Sequence, residues 1–111
     1  MPAAHDFTIW RGNNDASPTI EPRGAGDTVF DHSGSTWRLV ARLPGNAVLF
    51  DIIGVLDAQT GRVTFPITLE MSRQAPLGKV AQYEIERRVG ATEETWLYGY
   101  LIGAGGANTD G

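Results

Sequence analysis

The chain has 111 residues, 41% of them hydrophobic and 20% charged, with 14 glycines, 6 prolines and a net charge of −4. That balance fits one folded domain, residues 1–111, near the small end of what can close a core, and it excludes a disordered chain. Cysteine is absent and no basic cluster exceeds Arg87-Arg88, which excludes disulfides and thiolate chemistry and argues against a nucleic-acid phosphate groove.

The opening MPAAHDFTIW lacks the basic region and apolar run of a secretory signal. Within it, DFTIWRG predicts a first strand, with Phe7 and Ile9 on one parity and Thr8 and Trp10 on the other. A polar loop, GNNDASP, follows. In TIEPRGAGD, Pro22, Gly24 and Gly26 would spoil a central strand. DTVFD, residues 27–31, predicts a short edge strand.

STWRLVARL gives the clearest period of two. Trp37, Leu39, Ala41 and Leu43 share one face, and Thr36, Arg38, Val40 and Arg42 share the other. After the turn PGN, AVLFDIIGVL predicts a central strand covered on most of its length. Its Asp51 and Gly54 and its short length rule out a membrane span. DAQTG suits a hairpin loop. RVTFPITLE alternates again, with Val63, Phe65, Ile67 and Leu69 inward; Pro66 implies an edge position or a bulge.

MSRQAPLG is the one helical candidate, and Pro76 limits it to about one turn. KVAQYEIERR then places Ala81, Tyr83 and Ile85 inward and Gln82, Glu84 and Glu86 outward. GATEET turns the chain and WLYGYLI closes it. Short strands separated by turn signals predict an all-β fold of about seven strands: an antiparallel β-sandwich or small jelly roll, with an immunoglobulin-like arrangement among the options.

In the last strand Leu97 and Leu101 continue the core parity, with Gly99 at a bulge or a close approach. Trp96, Tyr98 and Tyr100 fall on the opposite parity. Either a second sheet or loop covers them, or they form a contact surface of the kind in which aromatics are enriched. The two faces could also be exchanged. The tail GAGGANTDG, residues 103–111, has four glycines and no core of its own; it reads as a C-terminal arm that a neighbouring molecule or groove would have to pin.

Catalytic patterns are weak. Asp31, His32 and Ser33 are consecutive, so they cannot converge as a hydrolase relay does. His5 and His32 lack metal-binding spacing, and GNNDAS lacks the calcium-loop pattern. GAGD and GAGG are not in a strand–GxGxxG–helix context. Glu93-Glu94 in the turn and Glu84 with Glu86 on the strand are explained by cross-strand pairing and edge protection. The reading is a protein that is not an enzyme and carries no cofactor or metal.

Taken together, HDFTIWRGNN, VLDAQTGRVTFPIT, APLGKVAQYEIERR and WLYGYLIGAGGANTDG resemble small β-sandwich virion proteins of tailed bacteriophages. The resemblance runs over nearly the whole chain in order of elements, through individually weak motifs, and fits least in PTIEPRGAGDTVF. It implies a structural protein made in the host cytoplasm and placed on the virion. Within that class it is most similar to capsid decoration, cement or stapling proteins on the capsid surface. The implied partners are the major capsid protein and further copies of the chain, as a dimer or trimer on a symmetry axis, with no nucleic acid and no membrane. A tail, neck or baseplate component is the alternative, and a carbohydrate-binding module the second alternative. On the decoration reading the extended termini and the aromatic row make the contacts, which gives Trp96, Tyr98, Tyr100, Gly103, Gly105, Gly106 and Asn108 as candidate interface residues.

Overall fold

The computed structural model describes residues 3–12, 17–23, 30 and 32–105. Its elements in chain order are β1 (Ala3–Ala4), β2 (Phe7–Trp10), β3 (Thr19–Ile20), β4 (Ser35–Arg42), β5 (Val48–Ile53), β6 (Val55–Asp57), β7 (Arg62–Thr64), α1 (Leu69–Gln74), β8 (Gly78–Val89) and β9 (Thr92–Ala104). The fold is an all-β sandwich. One sheet of six strands runs β1-β9-β8-β4-β5, with β2 also on β9, and a sheet of three runs β3-β7-β6. Of the expected edge strand at residues 27–31, only Phe30 falls among the described residues, and it lies outside the strands.

The period-two segments behave as their patterns require. β4 and β8 pair antiparallel from Ser35↔Val89 to Arg42↔Gln82. Trp37, Leu39, Ala41, Ala81, Tyr83 and Ile85 are buried in one hydrophobic cluster with Ile9, Phe50, Ile52, Val63, Phe65, Ile67 and Leu101. The β8–β9 hairpin closes through Gly90 and Ala91 between the paired Val89 and Thr92. The positive φ of 58° at Gly90 suits such a two-residue turn. Glu93 and Glu94 therefore lie on a strand rather than in the turn, opposite Arg88 and Arg87.

Three expectations need correction. AVLFDIIGVL is not one central strand. It divides at Gly54 into β5, at the edge of the large sheet, and β6, at the edge of the small one. A Cβ on Gly54 would stand 2.6 Å from Val63 Cγ1 and 3.0 Å from Trp37 Cβ, so only glycine lets the chain cross between the layers here. Second, RVTFPITLE is a strand only to Thr64. β7 is central in the small sheet, and Pro66 lies beyond its end. Phe65 and Ile67 stay buried without a ladder; Phe65 N–H donates to Pro18 O (2.9 Å), and Ile67 N–H donates to Ser17 Oγ (2.9 Å). Leu69 opens α1 instead of continuing a strand. The Thr68 side chain caps that helix by accepting from Met71 N–H (3.1 Å), and the helix ends before Pro76.

The third concerns the antiparallel arrangement, to which the N-terminal segment is an exception, since it pairs parallel to β9. Ala3 and Ala4 lie against Leu97 and Tyr98, and Phe7 to Trp10 lie against Leu101 to Ala104. His5 and Asp6 interrupt this strand where they pass over Gly99. A Cβ on Gly99 would stand 2.1 Å from His5 O, so Gly99 marks a close approach. Tyr83, buried beneath, donates its phenol to His5 O (2.5 Å). Of the two parities of this segment, that of Phe7 and Ile9 faces the core, with Ile9 fully buried; parity does not say which strand it joins.

Candidate functional site

One face of the large sheet packs on the small sheet and α1 through the shared core. The other is open and forms a shallow groove of about 850 Å³ between the Leu43–Asn46 turn, the N-terminal segment and the strands. The pairing register writes this face as cross-strand rows. Asp51, Val40, Glu84, Tyr98 and Ala4 form one, and Arg42, Gln82 and Tyr100 form the next. The face exists because the outward parity of β4 and β8 is polar while β9 supplies tyrosines at the matching positions.

Its charges are arranged in local pairs. Arg38 forks onto Asp51, with Nε to Oδ1 at 2.6 Å and Nη2 to Oδ2 at 2.5 Å. That hydrogen-bonded guanidinium holds Asp51 below the usual carboxylate range and raises Arg38. Asp6 accepts from Tyr100 N–H (2.9 Å) and lies 3.5 Å from Lys79 Nζ. The backbone donor, followed by Lys79, lowers the Asp6 pKa. Lys79 also stands over the Tyr100 ring, 4.9 Å from its centroid, and Gln82 Nε2 donates to Tyr100 Oη (3.3 Å). Tyr100 is thus held on three sides, and Tyr98, 46% exposed, presents its ring to solvent.

Trp96 does not belong with them. Ile85 faces Leu97 and Glu86 faces Thr95, so Trp96 is the extra residue of a β-bulge. The bulge turns its ring inward, 5.2 Å from Trp37 and 5.0 Å from Phe30. Its indole N–H donates to Glu94 Oε1 (2.7 Å), and this bond, with Arg87, lowers the Glu94 pKa. The expected aromatic row is therefore two tyrosines on the open face and one tryptophan at the core, because one inserted residue reverses the parity.

The glycine candidates also separate. Gly103 is not an arm residue. It is buried within β9, paired with Ile9, and a Cβ there would stand 2.0 Å from Pro76 O. Gly105 is exposed beside Trp10, with φ of 78°. Ala104 also belongs to β9, and its carbonyl accepts from Arg11 N–H (3.0 Å). Gly106 and Asn108 lie outside the described residues.

The remaining sequence candidates are dispersed. His5 packs edge-on against Phe7, while His32 Nδ1 accepts from Trp37 Nε1 (3.3 Å) on the core side. Ser33 lies in a turn, and Asp31 is outside the described residues. Glu93 and Glu94 pair with Arg88 and Arg87. Among the described residues no cluster of three His, Asp or Glu could hold a metal, and no helix is long and apolar enough to cross a membrane. The carboxylates with shifted pKa are all shifted down, which makes them fixed charges and acceptors near neutrality and not proton donors. Sequence reading missed Asp6 and Lys79, which reach the face only through the parallel N-terminal strand.

No protein-family model matches the chain, and no curated protein matches it.

Proposed function

We propose that this chain is a non-catalytic structural protein that binds protein partners through its surface, and specifically a capsid decoration protein of a tailed phage. The observation that supports it is the open face of the large sheet. Tyr98 and Tyr100 stand beside the Arg38–Asp51 and Lys79–Asp6 pairs over a broad, shallow groove. Rigid aromatics with paired charges around them suit a flat protein surface, where a few anchors carry most of the affinity. The partner is the major capsid protein, and many copies on a symmetric shell would let modest single contacts hold through avidity. A tail, neck or baseplate component would share these surface features, since fold does not fix function.

Mass spectrometry of purified particles from the source phage, counting this chain against the major capsid protein, tests the reading. A ratio near one or a simple fraction of it fits decoration. A few copies per particle moves the protein to the tail or neck, and its absence overturns the virion reading. On shells stripped of this chain, Tyr98→Ala should weaken rebinding about tenfold or more if Tyr98 is an anchor; full-strength rebinding would remove this face from the contact.

A second reading, carbohydrate binding, is favoured by the same two tyrosines, whose rings flank the hydrogen-bonding groups of Asp6, Gln82 and Glu84 in the groove. Trp37 and Trp96 face the core and the exposed Trp10 does not line the groove, so tryptophan fluorescence is a poor reporter of this face. Saturation-transfer NMR against a glycan set, read on the tyrosine face, is the sharper test, and no transfer from any glycan would end this reading.

A further inference from the structure

We infer that the outer edge of β5 pairs with β5 of a second copy of this chain, antiparallel about a two-fold axis. β5 pairs with β4 on one side, and no strand pairs with it on the other among the described residues. Gly54 N–H donates to Trp37 O at 2.8 Å, continuing the register Arg38↔Ile53 and Leu39↔Ile52. Antiparallel ladders alternate between bonded and non-bonded pairs. Ile52 and Phe50 therefore bond inward to β4, and the backbone N–H and C=O groups of Asp51 and Ile53 point out of the sheet.

The side chains along this edge match an apolar strand. Val48, Ile53, Val55 and Leu56 are 54%, 58%, 58% and 41% exposed, and all lie on the one segment that crosses from the large sheet to the small. From Ala47 to Leu56 there is no proline or lysine to blunt the edge, and Asp51 is the only charge. That charge is already met by Arg38 of the same chain. A partner recruited by charge, such as a nucleic acid or a basic peptide, finds nothing to pair with here.

A second copy fits in detail. A two-fold axis through Ile52 sets Asp51 opposite the partner's Ile53, so outward donors and acceptors meet and the two aspartates avoid each other. That register holds as far as Gly54, where each chain leaves the large sheet for the small one. Both Arg38–Asp51 forks are retained. Identical antiparallel edges are self-complementary under this symmetry, which is the commonest in soluble homo-oligomers. The inference does not rest on the shell reading, because it uses only the edge. Two chains of charge −4 repel, so salt should strengthen the pair.

Sedimentation and light scattering of the full chain over a concentration series test it. The expected result is a rise from 12.0 kDa toward twice that mass, at lower concentration as salt is raised. Ile53→Lys should stay at the monomer mass with unchanged circular dichroism and melting temperature, whereas Tyr98→Lys on the far half of the sheet should dimerise like the parent. Because the chain has no cysteine, mixed Asp51→Cys and Ile53→Cys chains should cross-link to each other in preference to themselves. A parent chain monomeric at every concentration overturns the proposal, as does Ile53→Lys dimerising like the parent. Self-cross-linking as efficient as the mixed product overturns the register.

Discussion

The two edges of the large sheet are built in opposite ways. At one, the N-terminal segment lies parallel on β9 as two short pieces, Ala3–Ala4 and Phe7–Trp10, broken by His5 and Asp6. At the other, β5 runs six residues from Val48 to Ile53 and then crosses to the small sheet with its apolar side chains exposed. The first edge is interrupted by polar residues, which protects a sheet from further pairing; the second carries almost none of these devices. Among the described residues, one flank of the sheet is thus interrupted and the other is left without a pairing strand.

The closed edge depends on a few contacts, and breaking them should make it resemble the open one. Gly99→Val is expected to have the largest effect. Its side chain would occupy the space of His5 O, 2.1 Å from the Cβ position, and should cost about 3 kcal/mol or more. Melting with loss of amide protection across residues 3–10 would show that the N-terminal strand had been displaced. Retained protection would show that the backbone yields elsewhere.

Tyr83→Phe is a smaller step. It keeps the ring in the core but leaves His5 O without its donor, at about 1 kcal/mol. Amide exchange should rise in β1 and β2 and stay unchanged in β5. Burial, with Asp6 nearby, pushes the Tyr83 phenol up, so its ionisation in an alkaline titration should come above the ordinary tyrosine range.

The smallest effect is that of acid. Asp6 ties the closed edge to Tyr100 and Lys79, Asp51 ties β5 to β4, and both are lowered from the ordinary aspartate value of 3.8. A depressed folded pKa gives stability that is complete above the unfolded value and lost as pH falls through the folded one. Melting temperature should therefore hold above about pH 4.5 and decline below it. Asp6→Asn should flatten part of that decline, and an unaltered slope would count against the Asp6 contribution.

What sequence could reveal follows from what periodicity encodes. β4 and β8 alternate strictly, and each inward residue from Trp37 to Ala41 and from Ala81 to Ile85 is buried. Within AVLFDIIGVL the pattern is nearly all apolar, so nothing in it marks Gly54 as the crossing between sheets. Trp96 was misplaced because a bulge adds one residue without a sequence signal. Asp6 and Lys79 join the open face through a parallel pairing between chain positions far apart, which local patterning does not record. The tyrosines were legible because no bulge separates Tyr98 from Tyr100.

The N-terminal strand also sets an order of events during synthesis. Asp6 and its partner Tyr100 are 94 positions apart. A ribosome makes β2 among the first elements and its ladder partner β9 among the last, so Ile9 has no strand to join until nearly all of the described chain has emerged. Such long-range pairing forms late and slowly. Once β9 is made, and until that pairing forms, its flank facing the N-terminal segment is bare, and a peptide copying residues 3–10 would compete for it in trans only in the folding or refolding chain.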